Sequence, residues 1–263
     1  MKLLMFGDVV GEAGTACFRQ LAPKLKQQYS ADLVIVNGEN SAKGNGITPE
    51  SAAQLFAGGA DVITTGNHCF RRKCESLFEE QPRILRPANY PAGAPGSGVF
   101  VLDCGAYSLA VINLMGTVFM EALDNPFSVI DSLLSELHTP NILLDFHAEA
   151  TAEKRAMGWY LAGRVSAVIG THTHVQTADE EILCSHTAYL TDVGMVGPAE
   201  SVLGVNIEQA VKKQKYHMPV QFTEGNPPCI LNGVCIELNS KTGVSSKIER
   251  VFIKNCTNSS LNY

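Results

Sequence analysis

Five short apolar runs, Leu3 to Phe6, Leu33 to Val36, Val62 to Thr64, Ile142 to Phe146 and Ala167 to Ile169, each give way to a carboxylate, an amide or a histidine. Helix-like segments separate the first three, one around Thr15 to Gln28 and one from Pro49 to about Ala57. This is βαβαβ wiring, and right-handed crossovers turn such wiring into a parallel sheet. An open α/β sheet gathers functional groups at the carboxyl ends of its strands, so residues remote in sequence are expected to meet there.

The stretch Val99 to Ile112 reads as two strands joined by Cys104-Gly105-Ala106. Helices follow near Phe127 to Leu137 and Ala152 to Ala162, and the final third, including Cys229 to Leu238 and Lys247 to Ile253, is richer in strands. The mixture predicts an α/β fold of two packed sheets with helices outside, a four-layer α/β/β/α sandwich. With 263 residues and 45% apolar content the chain can bury a substantial core, and it reads as one domain over 1–254. The Asn-Ser-rich 255–263 reads as a frayed tail.

Charge narrows the partners. The net charge is −6, from 20 basic and 26 acidic residues, and no basic run exceeds Arg71-Arg72-Lys73. A long nucleic acid is therefore not expected, while a small anion held by local cations is. Arg71 and Arg72 read first as a solvated helix start and second as contacts to a bound substrate. No apolar run approaches the ~20 residues of a membrane span, and the acidic, glycine-rich continuation of the N-terminus is unlike a signal peptide. A cytoplasmic location is the default. Eight cysteines without a CxxC pair read as free, mostly buried thiols; Cys69 reads as packing at a helix start.

Each polar cluster has a plain reading of its own. Asp8 is either a metal ligand or a helix N-cap. Asn37-Gly38-Glu39-Asn40 favours an Asx-type turn, and Gly7, Gly11 and Gly14 do not match a dinucleotide loop. Two adjacent carboxylates, Asp8 and Glu39, would repel unless a cation lay between them. Gly66 would let the chain turn so that Asn67 and His68 point outward. Strand alternation puts Asp145 and His147 on one side, where the acid could orient the imidazole. Thr171-His172-Thr173-His174 is the strongest signal, because two imidazoles one residue apart can serve neighbouring ions.

Taken together, Gly7-Asp8-Val9-Val10-Gly11, Asn37-Gly38-Glu39-Asn40, Thr65-Gly66-Asn67-His68, Asp145-Phe146-His147-Ala148-Glu149, Gly170 to His174 and Thr191 to Met195 resemble the calcineurin-like metallophosphoesterases, most closely their bacterial YmdB-like branch. The chain departs from the wider superfamily in lacking a histidine two residues after Asp8 and in having Glu39 where an aspartate is usual; the branch shares both departures. The resemblance implies Asp8, Glu39, Asn40 and His174 on one ion, Glu39, Asn67, His147 and His172 on a second, and His68 as proton donor. It further implies two divalent ions, iron first with manganese as a substitute, and a homo-oligomer; oxygen and imidazole ligands suit zinc as well. The implied reaction is hydrolysis of cyclic nucleotides, 2′,3′-cyclic nucleoside monophosphates above all, by metal-bound hydroxide. Two divalent ions would set about +4 against about −2 from the carboxylates, which suits a small anionic phosphodiester. The rivals are a phosphomonoesterase or nuclease with the same metals, and a regulatory nucleotide-binding protein with little turnover.

Overall fold

The computed structural model describes residues 1–256, with side chains through 254. The parallel core of the first sheet is built from β1 (Lys2–Phe6), β3 (Leu33–Asn37) and β4 (Val62–Thr64), with β12 (Cys229–Leu238) antiparallel to β1. β11 (Met195–Pro198) and a two-residue β2 (Asp8–Val9) extend it beyond β12, and β13 (Ser245–Cys256) also pairs with β12. The second sheet runs β5 (Val99–Asp103), β6 (Ser108–Met115), β7 (Ile142–His147), β8 (Ala167–Thr171), β10 (Thr187–Leu190) and β9 (Glu181–Leu183). The predicted turn at 104–106 joins β5 to β6 as an antiparallel pair.

Alternation along the strands sorts the core into three layers. Leu4, Phe6, Val34 and Val36 face the helices α1 (Gly11–Tyr29) and α2 (Pro49–Ala57), meeting Phe18, Leu21 and Leu55. Leu3, Met5, Leu33 and Ile35 point the other way, onto Leu109, Val111, Leu143 and Ile169 of the second sheet. Beyond that sheet, Ile112, Leu144 and Phe146 pack on α4 (Pro126–Glu136) and α5 (Thr151–Leu161) through Ile130, Met157 and Leu161. The result is the four-layer α/β/β/α sandwich that the pattern predicts.

Some elements depart from expectation. Asp8 does not cap α1: it opens β2, and the residue before the helix is Val10, which makes no side-chain cap. The residues after His68 form turns, and α3 begins only at Glu75, so neither Cys69 nor Arg71-Arg72 starts a helix. The Arg72 guanidinium instead acts as a clamp, donating to the carbonyls of Lys43, Gly44 and Asn45. In the strand-rich final third, α6 (Ile207–Tyr216) is a helix whose short apolar stripe, Ile207, Ala210 and Val211, buries only Ala210. β13 continues through Cys256, two residues into the expected tail, and 257–263 lie outside the described residues. Among the described residues no helix is long and apolar enough to cross a membrane.

Candidate metal centre

The clusters that end β1, β3, β4, β7 and β8 meet at one edge of the sandwich. Buried Glu39 lies at the middle of them. Its Oε1 accepts from Asn40 Nδ2 at 3.0 Å and sits 3.2 Å from His147 Nε2 and 3.5 Å from His68 Nδ1. Its Oε2 accepts the His68 backbone N–H at 3.2 Å. His147 is fully buried, and its Nε2 also lies 3.0 Å from Asn67 Oδ1 and 3.0 Å from His172 Nδ1. Gly66 is required for room: a Cβ there would fall 2.2 Å from the His147 ring and 2.4 Å from Glu39 Oε2. Space, more than the turn expected of it, is what this glycine provides.

Asp8 is equally buried. Its Oδ2 accepts the His172 backbone N–H at 3.1 Å, whereas Oδ1 has no hydrogen-bond partner and lies 3.8 Å from both His174 Nε2 and His147 Nδ1. His174 is fixed by the bond between its Nδ1 and the Leu203 carbonyl at 3.0 Å. All eight residues singled out in the sequence, Asp8, Glu39, Asn40, Asn67, His68, His147, His172 and His174, thus lie in one connected cluster.

Asp145 orients His147, but through an intermediary. Thr171 Oγ1 donates to Asp145 Oδ1 at 2.6 Å and contacts His147 Nδ1 at 2.9 Å, while Thr64 and Asn37 donate to Asp145 Oδ2. A protein group holding Nδ1 leaves Nε2 aimed at the cluster. Sequence reasoning missed Thr171, Thr64 and Asn37 as partners because short polar residues at strand ends have many roles.

His172 and His174 have φ of 97° and 64°, in the left-handed region that side chains with a Cβ disfavour. Thr173 between them is held by Asp192, whose Oδ2 accepts from its N–H at 3.0 Å and its hydroxyl at 2.6 Å. The same oxygen takes Lys154 Nζ at 2.7 Å, a pair 2% and 0% exposed. No role was expected for Lys154 or Asp192. The available signal was the buried stripe of α5, Glu153, Lys154, Met157, Gly158 and Leu161, which carries two charges where apolar residues belong.

Buried carboxylates and imidazoles shift one another's protonation in this cluster. Burial drives the Asp8 carboxyl upward against the pull of His174 and His147. Glu39 is pushed up by burial too, but the charge and hydrogen bond of His147, with help from His68, hold it well below the usual carboxylate range. Burial lowers both imidazoles: Glu39 overcomes it at His147, raised to about 9, whereas at His172 the positive His147 adds to it and the value falls to about 3. Two imidazole nitrogens 3.0 Å apart cannot both be protonated, so one proton serves a pair. Glu39, His147 and His172 offer ligand atoms all within 4.8 Å of one another. With Asn67 Oδ1 beside them and the partnerless Asp8 Oδ1 facing His174, this oxygen and imidazole set fits divalent transition metals. Above it opens a cleft of about 370 Å³ lined by Glu39, Asn40, His68, Glu149, His172 and His174.

Residues 4–251 match the family model described as YmdB-like protein. The chain belongs to the YmdB-like family. It is 46% identical over 256 residues to the Bacillus subtilis 2′,3′-cyclic-nucleotide 2′-phosphodiesterase, covering 96% of this chain and 97% of that one. A solved structure from Thermus thermophilus, described as a hypothetical protein, is 37% identical with a TM-score of 0.92, covering 97% of this chain and 100% of its own. A second, described as a novel phosphatase from Mycoplasma pneumoniae, is 34% identical with a TM-score of 0.92, covering 96% and 93%.

Among the described residues no cysteine joins the ligand atoms of this cluster. Cys17, Cys69, Cys229 and Cys235 are buried, Cys74 and Cys104 half-buried and Cys184 exposed. Burial pushes the Cys69 thiol up to about 12. Native protein treated with iodoacetamide at pH 8 is therefore expected to be labelled at Cys184 and spared at Cys69 until it is unfolded. Because the folded state keeps a proton that the unfolded thiol releases near 9, Cys69 also makes stability fall as pH rises from about 9 to about 12. Rapid native labelling of Cys69 would contradict its placement.

Proposed function

We propose that this protein is a two-cation phosphodiesterase for small cyclic phosphodiesters, with 2′,3′-cyclic nucleoside monophosphates as first substrates. As a YmdB-like protein whose relatives are named phosphodiesterase and phosphatase, it is a phosphoester hydrolase. The reading assigns Asp8, Glu39, Asn40 and His174 to one cation and Glu39, Asn67, His147 and His172 to the other, iron first, with manganese or zinc able to substitute. It takes residues 1–254 as one domain working in the cytoplasm, where its thiols stay reduced.

The observation that carries it is the convergence on His147 Nε2 of Glu39 Oε1, Asn67 Oδ1 and His172 Nδ1, all at 3.0–3.2 Å. Lone-pair atoms crowd so closely only when something positive is to sit among them. When bound, divalent cations supply Lewis-acid stabilisation of charge and activate water at neutral pH. The chain's own residues do the rest. Thr171 and Asp145 fix the His147 ring, and the Asp192 anchor holds His172 and His174 in place. His68 Nδ1 lies 3.1 Å from Asn40 Oδ1, which accepts the Nδ1–H hydrogen bond of the imidazolium; the Nε2 proton then passes to the departing ribose oxygen and leaves the ring neutral. A cleft of about 370 Å³ suits a mononucleotide phosphate better than a long strand, which this acidic chain has little means to hold.

His68→Ala tests the donor role. It is expected to retain its metal content and to lose roughly 10²–10⁴-fold in kcat on a 2′,3′-cyclic nucleotide, with a much smaller loss on a p-nitrophenyl diester, whose leaving group needs no proton. Loss of cations together with activity would make His68 a ligand. Faster turnover of phosphomonoesters or long RNA than of cyclic nucleotides by the wild type would transfer the assignment to a phosphatase or a nuclease.

A further inference from the structure

The cleft above the metal centre has a neighbour across His174 and Leu203. His174 and Leu203 also line a second, larger depression of about 720 Å³, whose other walls include Val175, Met195 and Phe252, with Asn232 in the floor. Its position follows from register. Gly233 pairs with Phe6 at the carboxyl end of β1, and Asn232 pairs with Phe252 one step further out. Ile248, two alternations along β13 from Phe252, packs between the two sheets. Phe252 therefore lies on the inter-sheet face of its strand, past the end of the sandwich, on the edge where the metal-centre residues gather.

The chemistry of this depression differs from that of the metal cleft. Phe252 is 58% exposed, Val175 61% and Leu203 47%, an unusual concentration of open apolar surface beside a polar centre. Asn232 is 2% exposed: its Nδ2 donates to the Met195 carbonyl at 2.9 Å, which fixes the amide orientation, and its Oδ1 has no hydrogen-bond partner. An apolar wall with an exposed aromatic ring suits a flat heterocycle. Its place beside the metal-centre cleft, with His174 and Leu203 lining both, sets which heterocycle: one carried by the substrate itself.

We propose that this depression is the nucleobase subsite, with Phe252 as the residue against which the base stacks. The inference rests on the phosphodiester reading and adds where the nucleoside lies. A base held there adds binding energy without touching the reacting atoms, so it acts through KM.

The test compares 2′,3′-cyclic AMP with its baseless analogue, methyl riboside 2′,3′-cyclic phosphate, on metal-replete wild type, Phe252→Ala and Phe252→Trp. Base–aromatic stacking measured by alanine substitution implies a rise in KM of roughly 5–150-fold for the nucleotide in Phe252→Ala. Its kcat should hold, the baseless substrate should be unaffected, and Phe252→Trp should restore the nucleotide KM. Equal loss on both substrates, or no loss on either in a folded variant, overturns the subsite. A variant that loses activity on both while an oligomer falls apart in sedimentation overturns it in favour of contact between copies. If wild type turns over neither cyclic substrate but cleaves another phosphoester, the phosphodiester reading itself fails, and the subsite with it.

Discussion

Glu39→Ala is expected to abolish cation binding and lower kcat/KM by at least about 10³-fold, since the cations' contribution of several kcal/mol goes with them. The magnitude follows from position. Glu39 is 1% exposed and in reach of His147, Asn40 and His68, and in the proposed arrangement it is shared by both cations. Removing it also leaves His147 without the carboxylate that raises it to about 9. His174→Ala, at the rim and bonded to the Leu203 carbonyl, should instead weaken one cation and spare the other. Elemental analysis of both variants after identical reconstitution separates the cases. Full occupancy in Glu39→Ala would sink the shared-ligand role.

Asp192→Ala should be the most destabilising change away from the cluster. It strands the ammonium of Lys154, 2% exposed, and removing one partner of such a buried pair costs about 3–5 kcal/mol. For a domain of this size that is a fall in Tm on the order of 10 °C. It also frees Thr173 between two histidines in left-handed backbone. The double variant Lys154→Met with Asp192→Leu separates these effects: without a stranded charge it should recover most of the stability, yet bind metal roughly 10–100-fold more weakly because the loop has lost its anchor. Calorimetry and metal titration give the two readings. An unchanged Tm in Asp192→Ala would show that the pair does not hold the loop.

The strands that carry the site were legible because apolar alternation is their own signal. Val62 to Thr64 reads from the sequence as β4, whereas β6 runs to Met115, beyond the expected end at Ile112. The reason is Asn113, a buried amide whose Oδ1 accepts the Thr65 N–H; a polar residue with an interior partner looks like a strand end. Asp8 illustrates the opposite ambiguity, since a carboxylate after a strand reads equally as cap or ligand, and only the pairing of β2 with β11 removes the cap. The eight site residues emerged from their common position at strand ends and from family resemblance; no single spacing selected them. The roles of Lys154 and Asp192 stayed hidden because their ion pair spans 38 positions; charges in the stripe of α5 and the Thr191 to Met195 motif mark the residues but not their pairing. Phe252 was hidden too, reading as one more apolar residue of a strand until register placed it at the open edge.

The most direct test of the central claim is an anaerobic titration of metal-free protein with Mn²⁺, following hydrolysis of 2′,3′-cyclic AMP and bound metal in the same samples. Activity should climb to a plateau at two bound ions per chain. A plateau at one ion, or a folded, fully loaded protein that leaves the cyclic nucleotide intact, would contradict it.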